Sequence, residues 1–123
     1  IFIYFFKINH VNINDNNIAT KWTVKPSTAY AVFDLGSISD IGGVNVAFGS
    51  FSTKTYTYNI MVSDDNINWE YVKTDINSQN QQWNEVKFDA VKARYVKLWF
   101  AQVKPFVKAN NQMDIQEIKI FGK

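Results

Sequence analysis

The chain has 123 residues and a mass of 14.2 kDa, enough for one domain around one core. Hydrophobic residues make up 46% and aromatic residues 16%, too many for a disordered chain. The formal net charge is +2 and the lysines are scattered, so no basic stripe tracks a nucleic-acid backbone. The chain has no cysteine, which excludes disulfides, thiolate zinc sites and a cysteine nucleophile together.

The opening run Ile1-Phe2-Ile3-Tyr4-Phe5-Phe6 is apolar, far too short to span a bilayer, and rich in β-formers. It predicts a first strand. The chain starts on Ile1 rather than Met, so a fragment of something longer is expected. Next comes an Asn-rich turn, Asn14-Asp15-Asn16-Asn17, and then strand candidates at 30–35 and 44–48. In Tyr56-Thr57-Tyr58-Asn59-Ile60-Met61-Val62-Ser63, period-two alternation places Tyr58, Ile60 and Val62 on one face. The turn Ser63-Asp64-Asp65-Asn66 precedes further candidates at 69–72 and 83–88. In the segment from Arg94 to Phe100, Val96, Leu98 and Phe100 point inward and Lys97 outward. Glu117-Ile118-Lys119-Ile120 alternates in the same way. Short strands with such punctuation predict an all-β sandwich or jelly roll, with no internal repeat. Two connections, 49–55 and 101–114, are long for hairpins, and loops of that kind on a rigid sandwich commonly carry binding.

Five fragments stand in a recognisable order. They are Asp15-Asn16-Asn17-Ile18-Ala19-Thr20-Lys21-Trp22, Phe33-Asp34-Leu35-Gly36, Ser63-Asp64-Asp65-Asn66-Ile67-Asn68-Trp69, Ala93-Arg94-Tyr95-Val96-Lys97-Leu98, and the run from Ile115 to Gly122. From about Asn12 to Gly122 the series resembles the coagulation factor 5/8 type C (discoidin) superfamily, and particularly its family 32 carbohydrate-binding modules. The resemblance implies an eight-stranded antiparallel jelly-roll β-sandwich of the galactose-binding-domain-like type, filling residues 1–123, with ligand loops at one end. Asn stands at Asn16 and Asn66 where the family has Gly. Both are tight turns, and Asn is the non-Gly residue best suited to positive φ.

The resemblance also implies a structural calcium ion. Calcium takes six or more oxygen ligands, and loop 12–20 with the last strand can supply them. Asp15 and Glu117 would give carboxylates and Thr20 its hydroxyl and carbonyl, while Asn12, Asn17 and Gln116 would give backbone carbonyls. Without the resemblance, Asp15 reads as a turn cap and Glu117 as a solvated residue beginning the last strand.

Catalysis is not expected. His10 is the only histidine, and nothing beside it resembles a nucleophile elbow. The adjacent carboxylates Asp64 and Asp65 sit in a turn, where neighbouring side chains diverge rather than face one another across a cleft.

Sugar recognition needs an aromatic face with amides or cations around it. The 49–55 loop offers Phe51 and Lys54; the 101–114 loop offers Lys104, Phe106, Lys108, Asn110 and Asn111. Modules attached to alginate lyases look closest, and there an Arg stands where this chain has Lys54. Lysine keeps the charge without the bidentate fork, which leaves an anionic sugar as the expectation. Ala47 and Phe48 stand where the galactose-binding branch carries His and Arg. Trp22 and Trp69 are expected to pack in the core, Trp99 to face outward, and Trp83 to serve as the aromatic platform.

These features together predict a non-catalytic, secreted carbohydrate-binding module, a monomeric unit of a multidomain chain, targeting an attached polysaccharide lyase or glycoside hydrolase to an anionic glycan such as alginate. The alternative is a discoidin-type adhesion domain for a membrane surface or a protein. Lysines beside Phe51 and Phe106 would suit lipid, but the lipid-binding branch generally carries a disulfide.

Overall fold

The computed structural model of the chain describes residues 22–26, 29–105 and 112–122. Within them lie six strands: β1 (Trp22–Val24), β2 (Ala29–Phe48), β3 (Thr55–Ser63), β4 (Glu70–Asn77), β5 (Trp83–Lys104) and β6 (Met113–Gly122). Every pairing is antiparallel, and hydrogen bonding runs in the order β1-β6-β2-β5-β3-β4.

β2 and β5, at 20 and 22 residues, are too long for one straight strand of a small domain, and both bend. The β2–β5 register breaks between Asp34 and Ser39 and again between Ile41 and Gly43. At the first break Gly36 takes φ +87°, which a side chain rarely tolerates, although a Cβ there would meet nothing within 4 Å. Asp34 holds the corner. It accepts the Gly36 N–H at 2.8 Å and a fork from Arg94, Nε at 2.7 Å and Nη2 at 2.9 Å.

The bends divide the strands into two leaves. The first contains β1, β6, the later part of β2 and the start of β5. The second contains the start of β2, the later part of β5, β3 and β4. The all-β antiparallel class expected is thus present; among the described residues there are six strands rather than eight, because β2 and β5 each run unbroken through both leaves. The faces meet through aromatic rings: Phe48 of the first leaf lies 4.6 Å from Tyr56, 5.5 Å from Tyr58 and 6.4 Å from Phe100 of the second. All four are fully buried.

The residues expected to face inward, Tyr58, Ile60, Val62, Val96, Leu98 and Phe100, all join the core; burial alternates along β5, whereas in β3 the intervening Asn59, Met61 and Ser63 are buried too. The segments at 30–35 and 44–48 are not separate strands but parts of β2, because a bent strand keeps its ladder through the corner. β1 carries no alternation long enough to announce it. Trp69 corrects an expectation: it is half-buried outside the core, its ring 4.2 Å from Lys97 Nζ. Trp99 is half-buried. The strand expected at residues 1–6 and the side chain of Trp22 lie outside the description.

The Ser63–Asn68 turn is organised by Asp65, whose carboxylate accepts from Ile67 N, Asn68 N, Asn68 Nδ2 and Ser63 Oγ at 2.8–3.0 Å. Asn66 takes φ 64°, the positive value expected of a residue standing in for glycine. Hydrogen bonding from the Asn68 and Ile67 amides holds the exposed Asp65 carboxyl far below its ordinary 3.8. The Arg94 fork lowers Asp34 in the same direction. A folded-state pKa below the unfolded one contributes stability that is complete above the unfolded value and lost as pH falls toward the folded one. Thermal melts from pH 5 downward should therefore show Tm falling once pH passes below 3.8, and Asp65→Asn should flatten that fall.

Candidate functional site

Two connections, 49–54 between β2 and β3 and 78–82 between β4 and β5, meet at one end of the sandwich, together with Gln112 just before β6. The first is a tight turn about Ser50 (φ 51°), whose carbonyl accepts from Thr53 N at 3.3 Å and Lys54 N at 3.0 Å. It is fastened to β6, since Gly49 N donates to the Asp114 carbonyl at 2.8 Å and Ser50 Oγ to Asp114 Oδ2 at 3.0 Å. It is fastened to the core by Tyr56, whose hydroxyl donates to the Gly49 carbonyl at 2.8 Å. Burial pushes that hydroxyl up to about 12, so it stays protonated and donating.

The second connection joins through Asn80, whose Nδ2 donates to the carbonyls of Phe51 at 3.1 Å and Lys54 at 3.3 Å. Ser78 ties the base of this turn to β3 by exchanging bonds with Tyr56, N to O at 2.9 Å and Oγ from N at 2.8 Å. Gln112 is reached by Lys54, whose Nζ donates to the Gln112 carbonyl at 2.9 Å. Thr55 pairs with Lys104 at the end of the β3–β5 ladder, where the Lys104–Pro105 peptide is cis.

Of the residues expected to bind ligand, Phe51 and Lys54 share one connection, and Lys104 pairs through its backbone with Thr55 at the end of that connection. Phe51 is half-buried against the core, Lys54 bridges two loops, and Lys104 is exposed. Phe106, Lys108, Asn110 and Asn111 lie outside the described residues. Trp83 is placed elsewhere, on the outer face of the first leaf, 39% exposed and 5.5 Å from Lys119 Nζ. The cavity beside it is lined by Asn45, Gln81, Glu85, Lys119 and Phe121, with no residue of the 49–55 loop. Sequence reasoning missed Asn80, although the Asn/Gln-rich stretch around Trp83 carried its turn chemistry. It also missed the Ser50–Asp114 clasp, because residues 64 positions apart leave no local signal.

Of the calcium residues, Asp15, Thr20, Asn12 and Asn17 lie outside the description, as does His10. Glu117 is in the middle of β6 rather than at its start, paired with Ala47 and only 2% exposed. That overturns its reading as a solvated strand residue. A carboxyl so far out of water stays ionised only beside a cation or strong donors, and its hard oxygens suit calcium. Gln116 is half-buried, its side-chain carbonyl accepting from Gln82 Nε2 at 3.0 Å. Among the described residues no three His, Cys, Asp or Glu side chains form a metal-holding group. Asp65 spends its carboxylate within its own turn, which leaves no carboxylate pair at Asp64 and Asp65.

Residues 7–118 match the model of the F5/8 type C domain. The chain belongs to that family. Among solved structures, this F5/8 type C domain is similar to the CBM32 of AlyQ in complex with 4,5-unsaturated mannuronic acid. Identity is 26% over 91% of this chain and 84% of that one, with a TM-score of 0.80. It is similar also to a truncated AlyQ containing CBM32 and alginate lyase domains, at 26% identity and a TM-score of 0.79, over 91% of this chain and 29% of that one. A pectin-binding carbohydrate-binding module shares the fold, with a TM-score of 0.77 at 22% identity over 89% and 76% of the two chains. No curated protein matches the chain.

The two core tyrosines of this domain are expected to behave oppositely on losing their hydroxyls. Tyr56→Phe removes the bond to Gly49 and should cost about 1 kcal/mol. The Tyr58 hydroxyl is buried and meets no hydrogen-bond partner among the described residues. Tyr58→Phe should then be neutral or stabilising by up to about 1 kcal/mol. Urea denaturation of the two variants measures both.

Proposed function

We propose that this F5/8 type C domain is a non-catalytic carbohydrate-binding module. Its loop end holds an acidic sugar of a polysaccharide such as alginate, for a polysaccharide-degrading enzyme in the same secreted chain. The observation that carries this reading is the bridge from Lys54 to Gln112, which fixes an ammonium between two loops at the end of a rigid sandwich. Lys104 pairs through its backbone with the adjacent Thr55, and Phe51 presents part of an aromatic ring. An ammonium supplies charge and several donors to a sugar carboxylate, and the ring supports the apolar side of a pyranose. The AlyQ module, the relative solved with an unsaturated mannuronic acid, supports the same ligand class. The two-domain AlyQ supports attachment to a lyase.

Calcium in this reading is structural. Glu117 and Gln116 would hold it from β6, and Asp15, Thr20, Asn12 and Asn17 would supply the remaining oxygens from the 12–20 segment. Bound there, it ties that segment to the last strand and stabilises the fold in proportion to its occupancy.

Isothermal titration with mannuronate oligosaccharides tests the ligand. Wild type should bind them in preference to neutral oligosaccharides, and Lys54→Ala should weaken binding at least about tenfold, the loss of one charged hydrogen bond. Binding to anionic liposomes with no response to any glycan would overturn the reading. The metal has a separate readout, in which EDTA lowers Tm and added calcium restores it. A Tm unmoved by EDTA, with no calcium in the protein by elemental analysis, rules the ion out.

A further inference from the structure

The outer face of the first leaf has a relief that follows from its register. On β2, Val44 and Val46 point into the core, so Gly43, Asn45 and Ala47 point outward. Opposite them on β5 stand Lys87, Glu85 and Trp83, and on β6 stand Phe121, Lys119 and Glu117. A line of small side chains thus runs between two lines of long ones, forming a trough along β2. It is closed at Ala47 and Glu117, which are 0% and 2% exposed. It is open at Asn45, where a cavity of about 560 Å³ is bounded by Trp83, Glu85, Lys119, Phe121 and Gln81.

That volume falls within the range of small-ligand sites, and its lining is chemically specific. Trp83 offers an exposed indole whose electron-rich face already attracts Lys119 Nζ at 5.5 Å. The C–H groups on one side of a pyranose ring seek the same face. Asn45 and Gln81 bring amides that both donate and accept, while Glu85 accepts and Lys119 donates. Glu85 and Lys119 flank Asn45 from opposite strands, so the charges balance across the trough. The loop end, with Lys54 and Lys104, favours an anion. The trough has no such bias and suits a ring rich in hydroxyls and without charge.

We propose that this trough is a second carbohydrate-binding surface, taking uncharged pyranose units stacked on Trp83 independently of the loop end. It rests on the reading of the chain as a carbohydrate-binding module. Two surfaces on one domain would hold a mixed polysaccharide by avidity, each being weak alone.

The test is a titration of the ¹⁵N-labelled chain with cellohexaose, xylohexaose and mannohexaose, and separately with mannuronate tetrasaccharide. At least one neutral hexasaccharide should shift the Trp83 indole N–H and the Asn45 and Glu85 amides saturably. Trp83→Ala, followed at Asn45 and Glu85, should weaken that binding at least tenfold, Trp83→Phe should retain part of it, and Lys54→Ala should leave it unchanged. Thermal melts of the variants check that the fold persists. If none of the three neutral hexasaccharides moves these signals, the trough proposal fails, whatever mannuronate does at Phe51 and Lys54. It fails equally if they move only with mannuronate and Lys54→Ala abolishes the movement, since the trough would then be an extension of the loop site. The reading of the loop end fails separately, when mannuronate leaves the Phe51 and Lys54 amides unmoved.

Discussion

Everything in this domain depends on two strands serving both leaves of the sandwich. β2 and β5 each pass from one leaf to the other, and they pair with one another on both sides of the corner. The leaves therefore cannot slide without breaking a continuous ladder, since a slip of one residue would turn every core side chain of a strand to solvent. The corner is built from Gly36, whose positive φ allows the turn, and from Asp34, whose carboxylate is shared between the turn amide and the Arg94 fork. A bidentate pair of this kind fixes orientation as well as distance. The position of Phe48, the residue that closes the core at the far end of β2, follows from that corner.

Phe48 connects the scaffold to the loops. Its ring is stacked on Tyr56, and the Tyr56 hydroxyl supports the Gly49 carbonyl immediately beyond Phe48. From there the polar ties branch to Asp114 at the start of β6, to Gln112 just before that strand, and to Asn80 in the 78–82 connection. The loop end is thus an extension of the core rather than a set of independent loops. Of its charged side chains, Lys54 is held in place by the Gln112 carbonyl, and a side chain already ordered loses less freedom in any later contact.

The sequence made some of this legible and hid the rest for identifiable reasons. Signals of short range survived: the inward faces Tyr58-Ile60-Val62 and Val96-Leu98-Phe100, and the turn at Asn66, all appear where the local pattern put them. The ordered motifs supplied the family and with it the discoidin fold, which periodicity alone could not distinguish from other sandwiches. Cross-strand facts were not legible. Trp69 looks like a core residue because it is large and apolar, yet it lies over Lys97. Glu117 looks solvated because it alternates with isoleucines, yet it is buried. Trp83 looks like part of the Asn/Gln-rich loop, yet the Ala47 pairing turns it onto the sheet face. In each case the deciding neighbour is on another strand, far away in sequence.

The two outer faces of the sandwich show what such neighbours decide. On the second leaf, Lys97 is spread between Trp69 at 4.2 Å and Tyr30 at 5.4 Å. Burial lowers the pKa of its ammonium, a sign that it is partly withdrawn from water. Around it Val32, Asn59 and Met61 are 5%, 5% and 9% exposed, so that face is already covered by its own side chains. On the first leaf the middle strand carries Gly43, Asn45 and Ala47 instead, and none of these can reach over its neighbours. The flanking Trp83 and Lys119 then border an opening rather than close it. An aromatic beside a lysine covers one face and frames a cavity on the other. What differs is the size of the residues on the strand between them.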